Sequence, residues 1–226
     1  MKPLIIIPAY NEALNLSKVI TDINSNCDYD YIIVNDCSRD NTVEVCEENH
    51  YHHVDLPVNY GLASAVQIGF KYALKHGYDA AVQFDGDGQH QAKYLKSLFD
   101  ELEQGADIAI GSRFVDEKKP FTARMLGSRV LTFLIYAVTG KRINDPTSGM
   151  RAFNRSSIVE YATNMNYPPE PDTLVYMLKK HKKIKEVQVS MDEREFGESY
   201  LNPIRSLKYM VEMVLSIVLI QNFRGR

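Results

Sequence analysis

The sequence predicts an α/β domain built around a largely parallel sheet, and three observations carry that prediction. Short, wholly apolar runs alternate with helix-length amphipathic segments through the first half of the chain, the pattern of βαβ units. Gly77 and Gly105 stand where helices of that pattern should stop. Polar clusters follow the apolar runs at Pro8–Glu12, Asp36–Asp40 and Asp85–His90, which is the strand edge where open parallel sheets collect function.

The expected strands of the first half are Leu4–Ile7, Tyr31–Asn35, His53–Leu56, Ala80–Phe84 and Ile108–Gly111. Between them Glu12–Asn24, Thr42–Asn49, Leu62–His76 and Ala92–Gln104 carry helical periodicity. The second half is less regular. A helix over Ala123–Thr139 precedes the turn-rich Asp145-Pro146-Thr147-Ser148-Gly149, then come a strand at Met150–Phe153, helices near Ser156–Thr163 and Asp172–Lys180, and a strand at Ile184–Met191. A last helix, Ile204–Gln221, puts Leu207, Met210, Val211, Val214, Leu215, Val218 and Leu219 along one broad face. The expected organisation is one domain over 1–203, with the amphipathic helix in 204–226 appended.

Composition narrows the classes. The chain has 226 residues, 45% of them hydrophobic and 24% charged, which excludes a disordered, collagenous or disulfide-built protein. A net charge of −3 provides no global basic field for nucleic acid. Charge is nevertheless segregated: residues 1–120 carry 10 basic and 19 acidic side chains, and residues 121–226 carry 16 and 10. Cys27, Cys37 and Cys46 show no metal or redox spacing and read as reduced. The apolar run before Pro8 is too short for a signal sequence, so a cytoplasmic location is expected. Val130–Gly140 and Met213–Asn222 fall short of the roughly 18 residues that suggest a membrane span.

The chemistry concentrates in Asp85-Gly86-Asp87. Two carboxylates one small residue apart, at the end of an apolar strand, are hard oxygen ligands suited to Mg²⁺ or Mn²⁺ shared with substrate phosphates. Alone, the same four residues Asp85–Gly88 also read as a plain turn. Asp36 follows a second buried strand and can accept hydrogen bonds from a nucleobase or ribose, while Asp40 reads as a helix cap. Tyr10 offers a stacking surface.

These clusters, taken in order with Gly111-Ser112-Arg113 and Ser148–Phe153, resemble glycosyltransferase family two, within it the branch of dolichyl-phosphate mannose synthase and the polyprenyl-phosphate glycosyltransferases. The resemblance covers nearly the whole chain. It implies a GT-A fold, a single Rossmann-like domain with a mostly parallel mixed sheet. It also implies a nucleotide-diphosphate sugar donor, expected to be UDP-linked, a divalent metal, and inversion at the anomeric carbon. Carried onto this sequence, it assigns the donor and metal half to 1–115 and the acceptor half to 116–203. Pro8, Tyr10, Glu12 and Asp36 would hold the nucleotide, Asp85 and Asp87 the metal with Gln89 beside it, and Asn59-Tyr60-Gly61-Leu62 matches the family's Asn-x-Gly segment. Arg113, Arg124 and Arg194 match basic positions that contact donor or acceptor phosphates, for which a planar guanidinium is well shaped. The sequence departs from the family at Tyr200, where a lysine is usual, and at Cys37 and Asn35.

The acceptor separates two expectations. A polyprenyl phosphate is already ionised near neutral pH and needs no base, whereas a saccharide hydroxyl needs one. Asp172, or Glu170 in Pro169-Glu170-Pro171-Asp172, would be that base; Asp172 reads equally as the N-cap of its helix. The terminal helix and the basic run Lys179–Lys183 suit an anionic membrane surface, the run adding roughly 1 kcal/mol per charge, and read also as a docked helix or oligomer contact and a solvated turn; the family resemblance implies peripheral association with the inner face of the plasma membrane. A separate membrane protein is a further partner that the sequence neither requires nor excludes.

Overall fold

The computed structural model describes residues 1–163, 170–193 and 203–221, with the backbone alone at 123, 124 and 203–207. Among the described residues one sheet of seven strands runs in the order β3-β2-β1-β4-β6-β5-β7. The strands are β1 Pro3–Ala9, β2 Asp30–Asn35, β3 His53–Asp55, β4 Ala80–Gln83, β5 Ile108–Ser112, β6 Arg151–Asn154 and β7 Ile184–Gln188. All pairings are parallel except those of β6, which lies antiparallel between β4 and β5. The sheet is therefore mostly parallel and mixed.

Helices cover both faces: α1 Ala13–Asn26, α2 Thr42–Glu48, α3 Leu62–Lys75, α4 Leu95–Glu103, α5 Ala123–Thr139, α6 Arg155–Thr163, α7 Pro171–Lys179 and α8 Pro203–Leu215. Because strand side chains alternate, β1 divides its apolar run between two cores. Leu4 and Ile6 join Phe70 of α3 and Tyr161 of α6, while Ile5 and Ile7 join Leu16 and Ile20 of α1 and Leu98 of α4. Gly77 and Gly105 take left-handed φ angles of +74° and +95° after α3 and α4, as helix stops do. Gly69 sits where an added Cβ would lie 2.3 Å from Ile6, so α3 can rest on β1 only with glycine there.

Several expected boundaries move. Glu12 precedes α1 rather than beginning it, and the helix expected at Ala92 starts as a 3₁₀ turn, Ala92–Tyr94, before α4. The last strand stops at Gln188, three residues short of the expected end. The largest change is in the terminal helix, which is α-helical to Leu215 and then turns as a π-helix over Ser216–Ile220. Its apolar residues do not share one face. Met210, Met213, Val214 and Ile217 pack on the core, whereas Val211, Leu215, Val218, Leu219 and Ile220 are exposed. The neighbouring α5 does the same, leaving Leu126, Val130, Phe133 and Tyr136 in solvent at helical spacing. Among the described residues no helix is long and apolar enough to cross a membrane.

Candidate active site

The carboxyl ends of β1, β2 and β4 meet at one edge of the sheet, which brings together the loops after each strand. The first two are laced to one another. The Asn11 amide donates to Ser38 Oγ (2.9 Å), and the Arg39 amide donates to Asn11 Oδ1 (2.7 Å). Asn11 and Cys37 both adopt left-handed φ angles of +57° to make these exchanges. Asp40 links two helix starts, accepting from the Ala13 amide through Oδ2 and from Thr42 through Oδ1; its expected capping role is thus doubled.

Asp36 is almost wholly buried. Its two oxygens accept from the amides of Tyr60 (2.8 Å) and Gly61 (2.7 Å). It holds the Asn59-Tyr60-Gly61 loop that opens α3, a contact made by a charged acceptor to two backbone donors. Glu12 is also buried and accepts from Asn15 Nδ2 (2.6 Å), while its amide donates to Thr42 Oγ1 (3.0 Å). Through its backbone amide Glu12 ties the start of α1 to that of α2. Tyr10 keeps an exposed ring on this rim. The Pro8 carbonyl lies 3.1 Å from where a Cβ on Gly86 would stand, so Gly86 lets the β4 loop close against β1.

Asp85 and Asp87 lie just beyond β4. Asp85 Oδ1 accepts from Gln83 Nε2 (2.9 Å) and Oδ2 stands 3.7 Å from His90 Nε2. The Asp85 amide donates to His90 Nδ1 (3.0 Å), which places the proton of the neutral ring on Nε2, facing the carboxylate. Asp87 Oδ1 accepts from the Gln89 amide (3.1 Å). Antiparallel β6 delivers the opposing wall: Arg151 pairs in register with Gln83, and Gly149 comes so close that a Cβ there would lie 2.6 Å from Asp85 Oδ2. His90, Gly149 and Arg151 lie inside the motifs that carry the family resemblance but had no role assigned from sequence, and Gln83 was not singled out; the signal was the polar Gln83 and Arg151 inside otherwise apolar strands.

This donor set fits a divalent cation. Two carboxylates, one residue apart, follow one strand end, and at Gly149 glycine leaves open the space beside Asp85 that a Cβ would fill. Among the described residues no cluster of three or more His, Cys, Asp or Glu forms a closed metal cage. Such an open pair suits a hard cation whose remaining ligands are water and phosphate oxygens.

The basic residues separate. Arg113 makes a bidentate pair with Asp145, Nε to Oδ2 at 2.7 Å and Nη2 to Oδ1 at 2.9 Å, and its amide also donates to Oδ2. Burial alone would raise the Asp145 carboxyl; the Arg113 donors outweigh it and hold Asp145 below its ordinary range. The guanidinium expected to meet phosphate is held by Asp145 while part of it stays exposed. Arg124 begins α5 without a described side chain, and Arg194 lies outside the described residues, as does Tyr200.

Asp172 is the second residue of α7, after Glu170 at the cap position and Pro171. Neither acid caps with its side chain: Asp172 Oδ2 accepts from Ser216 Oγ (2.6 Å) and Gln221 Nε2 (3.1 Å), and Glu170 Oε2 accepts from the Tyr209 hydroxyl. The N-cap expectation is corrected, since both carboxylates reach across to the terminal helix. Burial, with the nearby Asp172 and Asp85 charges, pushes the Glu170 carboxyl up against the opposing pull of Tyr209 and Arg151.

Strand-edge loops, an Asp-x-Asp pair and an inserted antiparallel strand define a nucleotide-sugar-transferase architecture. The chain belongs to glycosyl transferase family 2, whose model matches residues 4–162. It is 29% identical over 216 residues to a polyprenol monophosphomannose synthase of Mycolicibacterium smegmatis, an alignment covering 89% of this chain and 81% of that one. To an undecaprenyl-phosphate mannosyltransferase of Micrococcus luteus it is 29% identical, covering 89% and 88%. A solved glucosyl-3-phosphoglycerate synthase of Mycobacterium tuberculosis, in complex with Mn²⁺, UDP and glucosyl-3-phosphoglycerate, superposes with a TM-score of 0.68 at 18% identity, covering 96% of this chain and 79% of that one. The fold is GT-A, and the protein is a hexosyltransferase by family.

Proposed function

We propose that this protein transfers a sugar, with inversion, from a nucleotide-diphosphate donor to a polyprenyl phosphate at the cytoplasmic face of the membrane, with UDP as the donor nucleotide. The observation that carries the reading is the open Asp85/Asp87 pair facing Gly149 at the strand edge, in a chain whose relatives are named for transfer to polyprenyl phosphates. Asp85 and Asp87 would hold Mg²⁺ or Mn²⁺, and when bound the ion offsets the charge that builds on the departing diphosphate. Gln83 and His90 hold Asp85 in place. Asp36 shapes the nucleotide rim through the Tyr60-Gly61 amides, and Tyr10 offers its ring to the base.

The acceptor oxygen attacks the anomeric carbon as the bond to the diphosphate breaks. A phosphate acceptor is ionised beforehand, so no base is required. That agrees with Asp172 and Glu170, the candidate bases for a saccharide hydroxyl, being bonded to the terminal helix. Peripheral membrane association is supported by the exposed apolar residues of α5 and α8. The basic run supports it less than expected, because Lys180 and Lys182 pair with Glu160 and Asp107, and Lys179 Nζ donates to the Gln221 carbonyl.

The test is transfer from radiolabelled UDP- and GDP-linked sugars, with Mg²⁺ or Mn²⁺, to undecaprenyl phosphate in detergent. Label in the organic phase from a UDP-sugar is the expected result. Label from a GDP-sugar alone would overturn the nucleotide assignment, and transfer to a saccharide but never to lipid would overturn the acceptor.

A further inference from the structure

We propose that α8 is a working part of the sugar-transfer site, registered against it by two positioning residues, Asp172 and Glu170, so that turnover depends on how that helix is seated. The proposal rests on the glycosyltransferase reading and assigns these acids a role other than the base that their sequence position implies.

The geometry begins at the π-helical turn. Ser216 and Gln221 both donate to Asp172 Oδ2. Five residues along an α-helix would leave those side chains about 140° apart. The π turn, in which the Gln221 amide donates to the Ser216 carbonyl, brings them to the same side of the chain. The turn thus has a cause: it presents two donors to one carboxylate. The latch is incompletely satisfied, since Asp172 Oδ1 and Gln221 Oε1 are buried with no hydrogen-bond partner among the described residues. An apolar contact would hold two helices at least as firmly, whereas a buried polar one selects a single register.

The other end of α8 is tied nearer the chemistry. Tyr209 donates to Glu170, whose charge is felt together with those of Arg151, Asp172 and Asp85. Arg151 is fully buried, and its Nε and Nη2 donate to the carbonyls of Ser148 (2.9 Å) and Pro146 (2.6 Å). Those two carbonyls belong to the turn that sets Gly149 against Asp85 Oδ2. Tyr209 is thus hydrogen-bonded to Glu170, Glu170 is attracted electrostatically by Arg151, and Arg151 holds the turn that packs Gly149 against Asp85, a path that is part hydrogen bond, part charge and part packing. The outer side of the same helix exposes Val211, Leu215 and Leu219, so an apolar surface acting on α8 acts on this path.

Coupling of this kind is reciprocal, which makes it measurable without transfer. The chain contains no tryptophan, so Leu219→Trp provides a single fluorophore on α8. Addition of UDP or GDP with Mn²⁺ should shift its emission, and Tyr209→Phe, which removes one oxygen, should abolish the shift while the nucleotide still binds. In steady-state transfer Tyr209→Phe should lower kcat by about tenfold with donor KM within about twofold, at a Tm within about 4 °C of the parent. Ser216→Ala should lower kcat likewise, and Ser216→Thr, which keeps the hydroxyl, should retain it. An unchanged kcat in both Tyr209→Phe and Ser216→Ala, a loss that tracks Tm, or an emission shift that survives Tyr209→Phe would overturn the proposal. If the parent protein binds neither nucleotide by calorimetry, the glycosyltransferase reading itself fails, and this one with it.

Discussion

Asp85 works within a space set by what its neighbours lack. Gln83 donates to one of its oxygens, His90 accepts from its backbone amide, and Gly149 leaves room beside the other oxygen. Gly149→Ala should therefore displace the carboxylate and lower transfer by about 100-fold or more, an effect on the scale of losing one preorganised transition-state contact; kinetics alongside thermal melting would check it. Asp87→Ala should remove turnover by about 10³-fold while leaving the melting temperature near the parent's, because it truncates a side chain at an open strand edge. Full turnover in that variant would remove the metal assignment. At this scale the placing of Asp85 and Asp87 just beyond a strand was legible from the apolar run before them, although by itself their spacing read first as a turn. The contacts of His90, Gly149 and Arg151 were not legible, because only the folded sheet creates them. The ion pair of Arg113 was hidden for the same reason: its partner Asp145 is 32 positions away in sequence.

At the scale of elements, the parallel half was legible strand by strand, since a βαβ unit writes its period locally. The insertion of β6 between β4 and β5, and the division of the terminal helix into α and π parts, depend on long-range pairing and left no local period to read. The segment between β5 and α5 carries another such long-range effect. Lys119 donates to Ser128 Oγ (2.8 Å) and Thr132 Oγ1 (3.0 Å) of α5. Burial pushes its ammonium down to about 8 despite the attraction of Asp145 and Glu186. A lysine whose folded pKa lies below its unfolded value of about 10.4 destabilises the folded state fully below the lower value. Between about pH 8 and pH 10 the unfolded chain retains a proton that the folded chain has released, so stability gains with rising pH. Lys119→Met should lose that gain. Urea midpoints of parent and variant at pH 7 and pH 9.5 would show it, and parallel shifts in the two proteins would refute it.

For the whole molecule, the question is which force the proposed membrane association would use. Residues 121–226 are the basic part of the chain, which on composition alone favours attraction to anionic lipid. Much of the conspicuous basic run is committed internally, however, with Lys182 on Asp107 and Lys180 on Glu160. What α5 and α8 offer to solvent is apolar: Phe133, Leu126, Leu215 and Leu219 on two helices close enough that Gly127 meets Met210. Burying one such side chain is worth about 1.5–3 kcal/mol, and that contribution is not screened by salt. Cosedimentation with anionic vesicles should accordingly survive 0.5 M NaCl, a concentration at which surface charge acts over only about 4 Å. Phe133→Ser should weaken binding by about tenfold or more at either ionic strength. Neutralising Lys182 should instead cost stability, because it leaves Asp107 partly buried without its cation. Release by salt together with indifference to Phe133→Ser would reverse the assignment, making charge the docking force and the exposed helix faces a site for another occupant.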